Sequence, residues 1–144
     1  EFASKSNLFA TNQDIEILCT IKANADVEEC RINASIAGTD AVSIGSISST
    51  QFFPVCRGDV QTLSFSIKNH NLALGTYRIS FSLGTGNFAS KQREFDIVNG
   101  ALFFRIGYFD QHNQIGFSEW MSSWGHIAFQ AEVRILDVKR DRSS

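Results

Sequence analysis

Leu72-Ala73-Leu74-Gly75-Thr76-Tyr77-Arg78-Ile79-Ser80-Phe81-Ser82-Leu83 is the stretch whose reading decides the fold. Leu74 and Gly75 make a corner, because glycine takes the positive φ that a sharp entry into a strand often needs. Beyond the corner Tyr77, Ile79, Phe81 and Leu83 recur at period two, and Arg78, Ser80, Ser82 and Gly84 fall between them. The alternation predicts a strand with one buried and one polar face. The apolar face demands a second layer. The polar face either meets water or belongs to a binding surface.

The same alternation extends outward in both directions. Towards the N-terminus, Ile15, Ile17, Cys19 and Ile21 alternate with Glu16, Leu18, Thr20 and Lys22. Cys30, Ile32, Ala34 and Ile36 alternate with Arg31, Asn33 and Ser35, and a weaker strand covers 41–47. Residues 50–55 read as a short edge strand, since Pro54 cannot donate to a ladder. Leu63, Phe65 and Ile67 alternate with Ser64, Ser66 and Lys68. Towards the C-terminus, Phe95 and Ile97 lie on a strand that Asn99-Gly100 closes with a turn. Residues 101–110 are apolar on both phases, as in a central strand or one with a covered outer face. Residues 110–125 form a loop with one helical turn near 118–124, which puts Trp120 and Trp124 on one face. A last strand spans 126–138, with Ile127, Phe129, Ala131, Val133 and Ile135 in phase. Eight or nine short strands without a long helix predict an all-β protein, an antiparallel β-sandwich of jelly-roll or Ig-like topology. One domain covers 8–138, with 1–7 and 139–144 as tails.

The composition narrows the function. A chain of 144 residues is long enough for one core, and its 13 Phe with a single Pro suit long sheet ladders. A formal charge of -2 and a pI near 5.9 weigh against a nucleic-acid partner. Cys19, Cys30 and Cys56 are odd in number and lack CxxC spacing, and Cys19 and Cys30 sit on apolar phases. We read them as three buried free thiols, which favours a reducing compartment. No apolar run approaches the roughly 18 residues of a membrane span, and no signal peptide is visible. The start at Glu1-Phe2 without Met reads as a module excised from a longer protein.

Catalytic constellations do not emerge. The sequence has no GxxxxGK[ST] phosphate loop and no GxSxG elbow. His70, His112 and His126 stand apart, without metal-ligand spacing, and residues 110–114 lack the acidic alternation of a calcium loop. Nothing pairs Glu16, Glu94, Asp96, Glu119 or Glu132 as glycosidase carboxylates. Arg57-Gly58-Asp59 reads as a turn, and the formal sequon at Asn33 falls mid-strand. The expectation is a non-enzymatic binding module without a cofactor. Its candidate residues are the polar phases: Arg31 and Asn33, Ser64 and Ser66, and Arg78, Ser80 and Ser82. Short hydroxyls leave room for a ligand, while Arg and Asn supply planar donors and acceptors for sugar hydroxyls. Trp120 and Trp124, with Phe52 and Phe53, are candidate platforms for apolar sugar faces, or else core anchors.

The order of these pieces is familiar. Asn12-Gln-Asp-Ile-Glu-Ile, Arg31-Ile-Asn-Ala-Ser-Ile, Val60-Gln-Thr-Leu-Ser-Phe-Ser-Ile, Leu72-Ala-Leu-Gly-Thr-Tyr-Arg-Ile-Ser-Phe, Phe95-Asp-Ile-Val-Asn-Gly and Trp124-Gly-His-Ile follow one another along 8–136. Together they resemble the C-terminal domain of Wzt, the nucleotide-binding subunit of ABC transporters that export O-antigen polysaccharides. The resemblance implies a sandwich on the cytoplasmic face of a bacterial inner membrane. It implies recognition of the non-reducing, often capped end of a lipid-linked glycan, which selects that chain for export. It also implies a homodimer through the last strand, and an ATPase domain outside this chain that meets the membrane subunit. The matching positions are framework residues, so the resemblance transfers no ligand contact. An Ig-like adhesive or structural protein-binding module, and a carbohydrate module attached to a glycosidase, remain as alternatives.

Overall fold

β-Branched and aromatic residues at period two form the ladders wherever a neighbouring strand is in reach. The structure is a computed structural model that describes residues 7–49, 51–86, 93–109, 115–116, 120–129 and 131–136. Among these the strands are β1 (Leu8–Ala10), β2 (Ile15–Lys22), β3 (Val27–Gly38), β4 (Ser43–Ser48), β5 (Phe53–Val55), β6 (Val60–Ile67), β7 (Gly75–Thr85), β8 (Arg93–Phe109) and β9 (Ile115–Gly116). A single 3-10 turn covers Ser122–Trp124. The large sheet runs β1-β8-β7-β3-β4, with β5 added on β3 and β9 on β8. The second layer is the antiparallel pair β2-β6.

The core lies between the two layers. Ile15, Ile17 and Phe65 come from the small sheet, and Ile32, Ala34, Ile36, Tyr77, Ile79, Phe81, Phe104 and Ile106 from the large one. Ile15, Tyr77, Ile79 and Ile106 are fully buried, each side chain contributing about 1.5–3 kcal/mol. The alternation read around Tyr77 is therefore the alternation of the core. Asn71 and Gly75 turn the corner with φ of 51° and 152°. The Tyr77 hydroxyl then reaches back to donate to the Ala73 carbonyl at 2.6 Å. This is the tyrosine-corner arrangement of Ig-like sandwiches. The ring stacks on Phe104 at 5.4 Å, and Phe9 meets Phe104 edge-on.

Several expectations change. Asn99-Gly100 does not end a strand. β8 runs through it as 17 residues, and the turn residues make a bulge in which Ser80 alone faces Asn99, Gly100 and Ala101. Gly100 takes φ 58° there, and its N–H donates to Ser80 Oγ at 2.9 Å. The positive φ that would close a hairpin instead absorbs extra residues in a continuous strand. β1 pairs in parallel with β8, so the sheet is mixed rather than purely antiparallel. Of the three cysteines only Cys30 is buried; Cys19 is half-buried and Cys56 exposed, and all are free thiols. Burial pushes the Cys19 and Cys30 thiols up.

The expected last strand also differs. Ile127 bridges Leu72, Ala73 N–H donates to the His126 carbonyl, and Ala128 N–H donates to the Asn71 carbonyl. The described residues beyond this clip form no ladder, and Phe129, Val133, Ile135 and Leu136 are 81–93% exposed. The apolar alternation is present, but a strand also needs a hydrogen-bonding neighbour. Of the expected tails 1–7 and 139–144, all but residue 7 lie outside the described residues, as do 110–114 and 117–119 of the expected loop and 130, 137 and 138 of the expected last strand.

Tyr77 yields the first prediction. Burial raises its hydroxyl from about 10 to about 12. The folded value lies above the unfolded one, so the stability held by the neutral phenol is whole below pH 10. It drains away as the pH rises towards 12. Tyr77→Phe should cost about 1–3 kcal/mol at neutral pH by orphaning the Ala73 carbonyl. The alkaline fall in stability between pH 10 and 12 should be shallower in the variant. Urea denaturation across that pH range measures both effects.

Candidate functional site

Strand pairing turns separate polar phases into one surface. Asn33 lies opposite Ser82 on one side and Ser48 on the other, while Ser35 lies between Ser80 and Ser46. Arg78 lies opposite Ala37 on β3 and Phe103 on β8, and Ser82 lies opposite Ile97. The inner phase of these strands holds the core, so the outer phase is a continuous strip of five serines, an asparagine and an arginine. Its β8 border is apolar: Ile97 is 57% and Phe103 55% exposed. Asn33, Arg78, Ser80 and Ser82 of the sequence candidates meet on this platform. Ser35, Ser46, Ser48, Ile97 and Phe103 join them. Their periodicity was visible in the sequence, but their adjacency required the register.

Arg31 occupies one end of the platform in a different role. It is 4% exposed. Its guanidinium is ion-paired with Glu94, and its Nε donates to the Gly86 carbonyl at 2.7 Å. With the Asn33 amide turned to satisfy its neighbours, Arg31 NH1 also donates to the Asn33 side-chain oxygen at 2.9 Å. Gly84 creates the space for this pair. A Cβ there would lie 2.4 Å from the Arg93 carbonyl and 3.2 Å from Arg31 NH2. Arg31 is thus a corrected expectation: its charge is spent inside the protein, and it orients Asn33 rather than meeting solvent.

Ser64 and Ser66 are also displaced from the expected group. They lie on the outer face of β6, opposite Leu18 and Glu16, and Ser64 Oγ donates to Glu16 at 3.0 Å. The core separates them from Asn33 and Ser82, because β6 belongs to the other layer. Trp120 and Trp124 pair with each other, ring centroids 5.4 Å apart and edge to face. Trp120 Nε1 donates to the Gly125 carbonyl at 2.7 Å, and Trp124 is 58% exposed. They form a small aromatic knob just before the Leu72–Ile127 clip. The Arg57-Gly58-Asp59 turn is tied down. Arg57 Nε donates to the Asn24 carbonyl, and Asp59 accepts from the Cys56 N–H at 2.8 Å.

A second feature lies between the layers. An open groove of about 970 Å³ follows the outer edge of β2 and the inner face of the first half of β8. Cys19, Ile21, Phe81, Leu83, Val98 and Leu102 are among its walls. The two-stranded layer covers β3, β7 and the Phe104–Ile106 part of β8 but stops short of Val98 and Leu102, which remain 46% and 44% exposed on the core phase. Among the described residues no three His, Cys, Asp or Glu side chains are grouped to hold a metal. No helix among them is long and apolar enough to cross a membrane.

Comparison with known proteins accords with this architecture. The profile of the Wzt C-terminal domain matches residues 1–119. The chain belongs to that family. Membership makes it a domain associated with an ABC transporter. A crystal structure of the C-terminal domain of Wzt superposes with a TM-score of 0.69 at 20% identity, covering 88% of this chain and 72% of that one. At that identity the likeness speaks for the fold. No curated protein matches. The profile match ends before Trp120, so the Trp124-Gly-His-Ile likeness lies beyond it.

The Arg31–Glu94 pair gives the second prediction. Glu94→Ala should destabilise the fold by roughly 1.5–3 kcal/mol, leaving a buried guanidinium without its carboxylate. Gly84→Ala should do so by about 1–3 kcal/mol through the backbone clash. Thermal denaturation of each against the parent checks the ranking.

Proposed function

We propose that this domain recognises carbohydrate without catalysis, binding the terminal part of a lipid-linked O-antigen polysaccharide to select it for ABC-transporter export. The observation that carries the reading is the outer platform of the large sheet. Serine hydroxyls and the Asn33 amide offer donors and acceptors at short reach. Ile97 and Phe103 offer apolar surface to the C–H faces of a sugar ring. Such a strip, laid across the outward face of three adjacent strands, suits an extended polymer better than a small enclosed substrate. Family membership supports the polysaccharide class and a place at the cytoplasmic face of the inner membrane. The ATPase and the contact with the membrane subunit belong to a domain outside this chain.

The domain acts as a homodimer through its C-terminal segment. Three observations support this. The segment has the alternation of a half-buried strand, and its described residues form no ladder. Among the described residues strand β2 pairs only with β6, on one side. The groove beside β2 leaves apolar core-phase side chains of β8 uncovered. A strand from a second copy laid along β2 would complete the short layer and cover Val98 and Leu102.

Two experiments test the reading. In calorimetric titration with the polysaccharide of the source bacterium, Ser80→Trp and Ser82→Trp should weaken binding at least about tenfold, which is 1.4 kcal/mol. Ser64→Trp on the opposite face should bind as the parent does. Absence of binding by the folded parent overturns the proposal, and equal loss in all three variants moves the site off the platform. For the dimer, removing residues 129–144 should halve the mass seen by analytical ultracentrifugation. A monomeric parent would refute that part.

A further inference from the structure

Arg31 and Arg78 lie on the same platform phase, six residues apart in register along β7, roughly 20 Å at the strand rise. Their situations differ. Arg31 is buried and ion-paired with Glu94. Arg78 is half-buried, and among the described residues it has no ion pair and no side-chain hydrogen bond. Its flanks are small or apolar: Ala37 across one ladder, Phe103 across the other, Thr76 and Ser80 along its own strand. Arg105 lies on the same phase, opposite Thr76. The one described acid at the nearby β3–β4 turn, Asp40, is directed elsewhere. Its carboxylate accepts from the Val42 N–H at 3.1 Å and lies 3.7 Å from His126 Nε2.

We infer that Arg78 is the centre of an anion subsite on the platform, reading a carboxylate or phosphate group on the glycan. The inference rests on the carbohydrate reading above and adds the charge of the substrate. A guanidinium presents a planar fork that matches the paired oxygens of either anion. Partial burial lowers the screening that an exposed cation would suffer. Ala37 leaves the approach open on one side, and Phe103 supplies an apolar wall for the sugar ring bearing the anion. The Ser80 hydroxyl, already accepting from Gly100 N–H, keeps its own proton to donate to a neighbouring oxygen. A neutral glycan would leave the half-buried charge unanswered, so the platform discriminates against it.

The test uses the 144-residue chain and polysaccharide from the source bacterium in three forms: native, carboxyl-reduced, and dephosphorylated with hydrofluoric acid. Arg78→Gln and Arg78→Lys are compared with the parent, and unchanged melting temperatures establish that each is folded. The expected result is tenfold or greater loss of parent affinity on one of the two treatments, which names the anion as carboxylate or phosphate. Arg78→Gln should then bind native polysaccharide as weakly as the parent binds the neutralised form, and should gain nothing further from neutralisation. Arg78→Lys should fall between. Unchanged affinity after both treatments overturns the anion subsite while leaving the carbohydrate reading intact. So does an Arg78→Gln loss of equal size on native and neutralised glycan. No binding of any form by the parent overturns both.

Discussion

The hydrogen bond from the Tyr77 hydroxyl to the Ala73 carbonyl is the constraint on which the rest depends. It closes the corner between β6 and β7 and fixes where β7 begins. β7 lies between β3 and β8, the two longest strands, so its starting register sets both ladders. The same corner holds the C-terminal segment. Leu72 bridges Ile127, Ala73 N–H donates to the His126 carbonyl, and the Tyr77 hydroxyl lies 3.4 Å from that carbonyl. One buried phenol thus ties together the core, the central ladder and the departure point of the arm.

From that register follows a separation of tasks. In β3 and β7 every second residue belongs to the core and every other one to the platform. A slip of one residue would put Ile79 and Phe81 into water and Arg78 and Ser80 into the core. The cost of such a slip is many times the marginal stability of a domain. Platform serines are therefore held at fixed spacing by side chains on the opposite face. Gly84, the Arg31–Glu94 pair and the Asn33 amide lock one end of the strip. The other end keeps its cation open.

Much of this was legible in the residues, because period two survives any arrangement of strands. Tyr77, Ile79 and Phe81 announced the core, and Leu72, Gly75 and Tyr77 the corner. The site was legible only by phase. Arg31, Asn33, Ser64, Ser66, Arg78, Ser80 and Ser82 all occupy outward phases. Phase does not say which layer a strand joins, so Ser64 and Ser66 grouped falsely with Ser80. It does not count the partners of a charge either, so Arg31 and Arg78 looked alike until Glu94 was placed beside one of them. Asn99-Gly100 misled for a related reason. Its backbone preference is real, but a positive φ serves a bulge as well as a hairpin, and only the pairing of β7 with both halves of β8 decides between them.

The asymmetry of the two layers links the proposed dimer to the proposed ligand. Between residues 97 and 103 β8 extends past the edge of the β2-β6 layer, so both its faces carry uncovered apolar side chains there. Val98 and Leu102 are on the core phase and Ile97 and Phe103 on the platform phase. A partner strand along β2 would take the first pair and leave the second free. Association and glycan binding would then use opposite faces of one strand and would not compete. Two joined domains would present two platforms to one repeating polymer. The second contact would form at the effective concentration set by the first, so a modest affinity at each strip suffices for retention of a long chain.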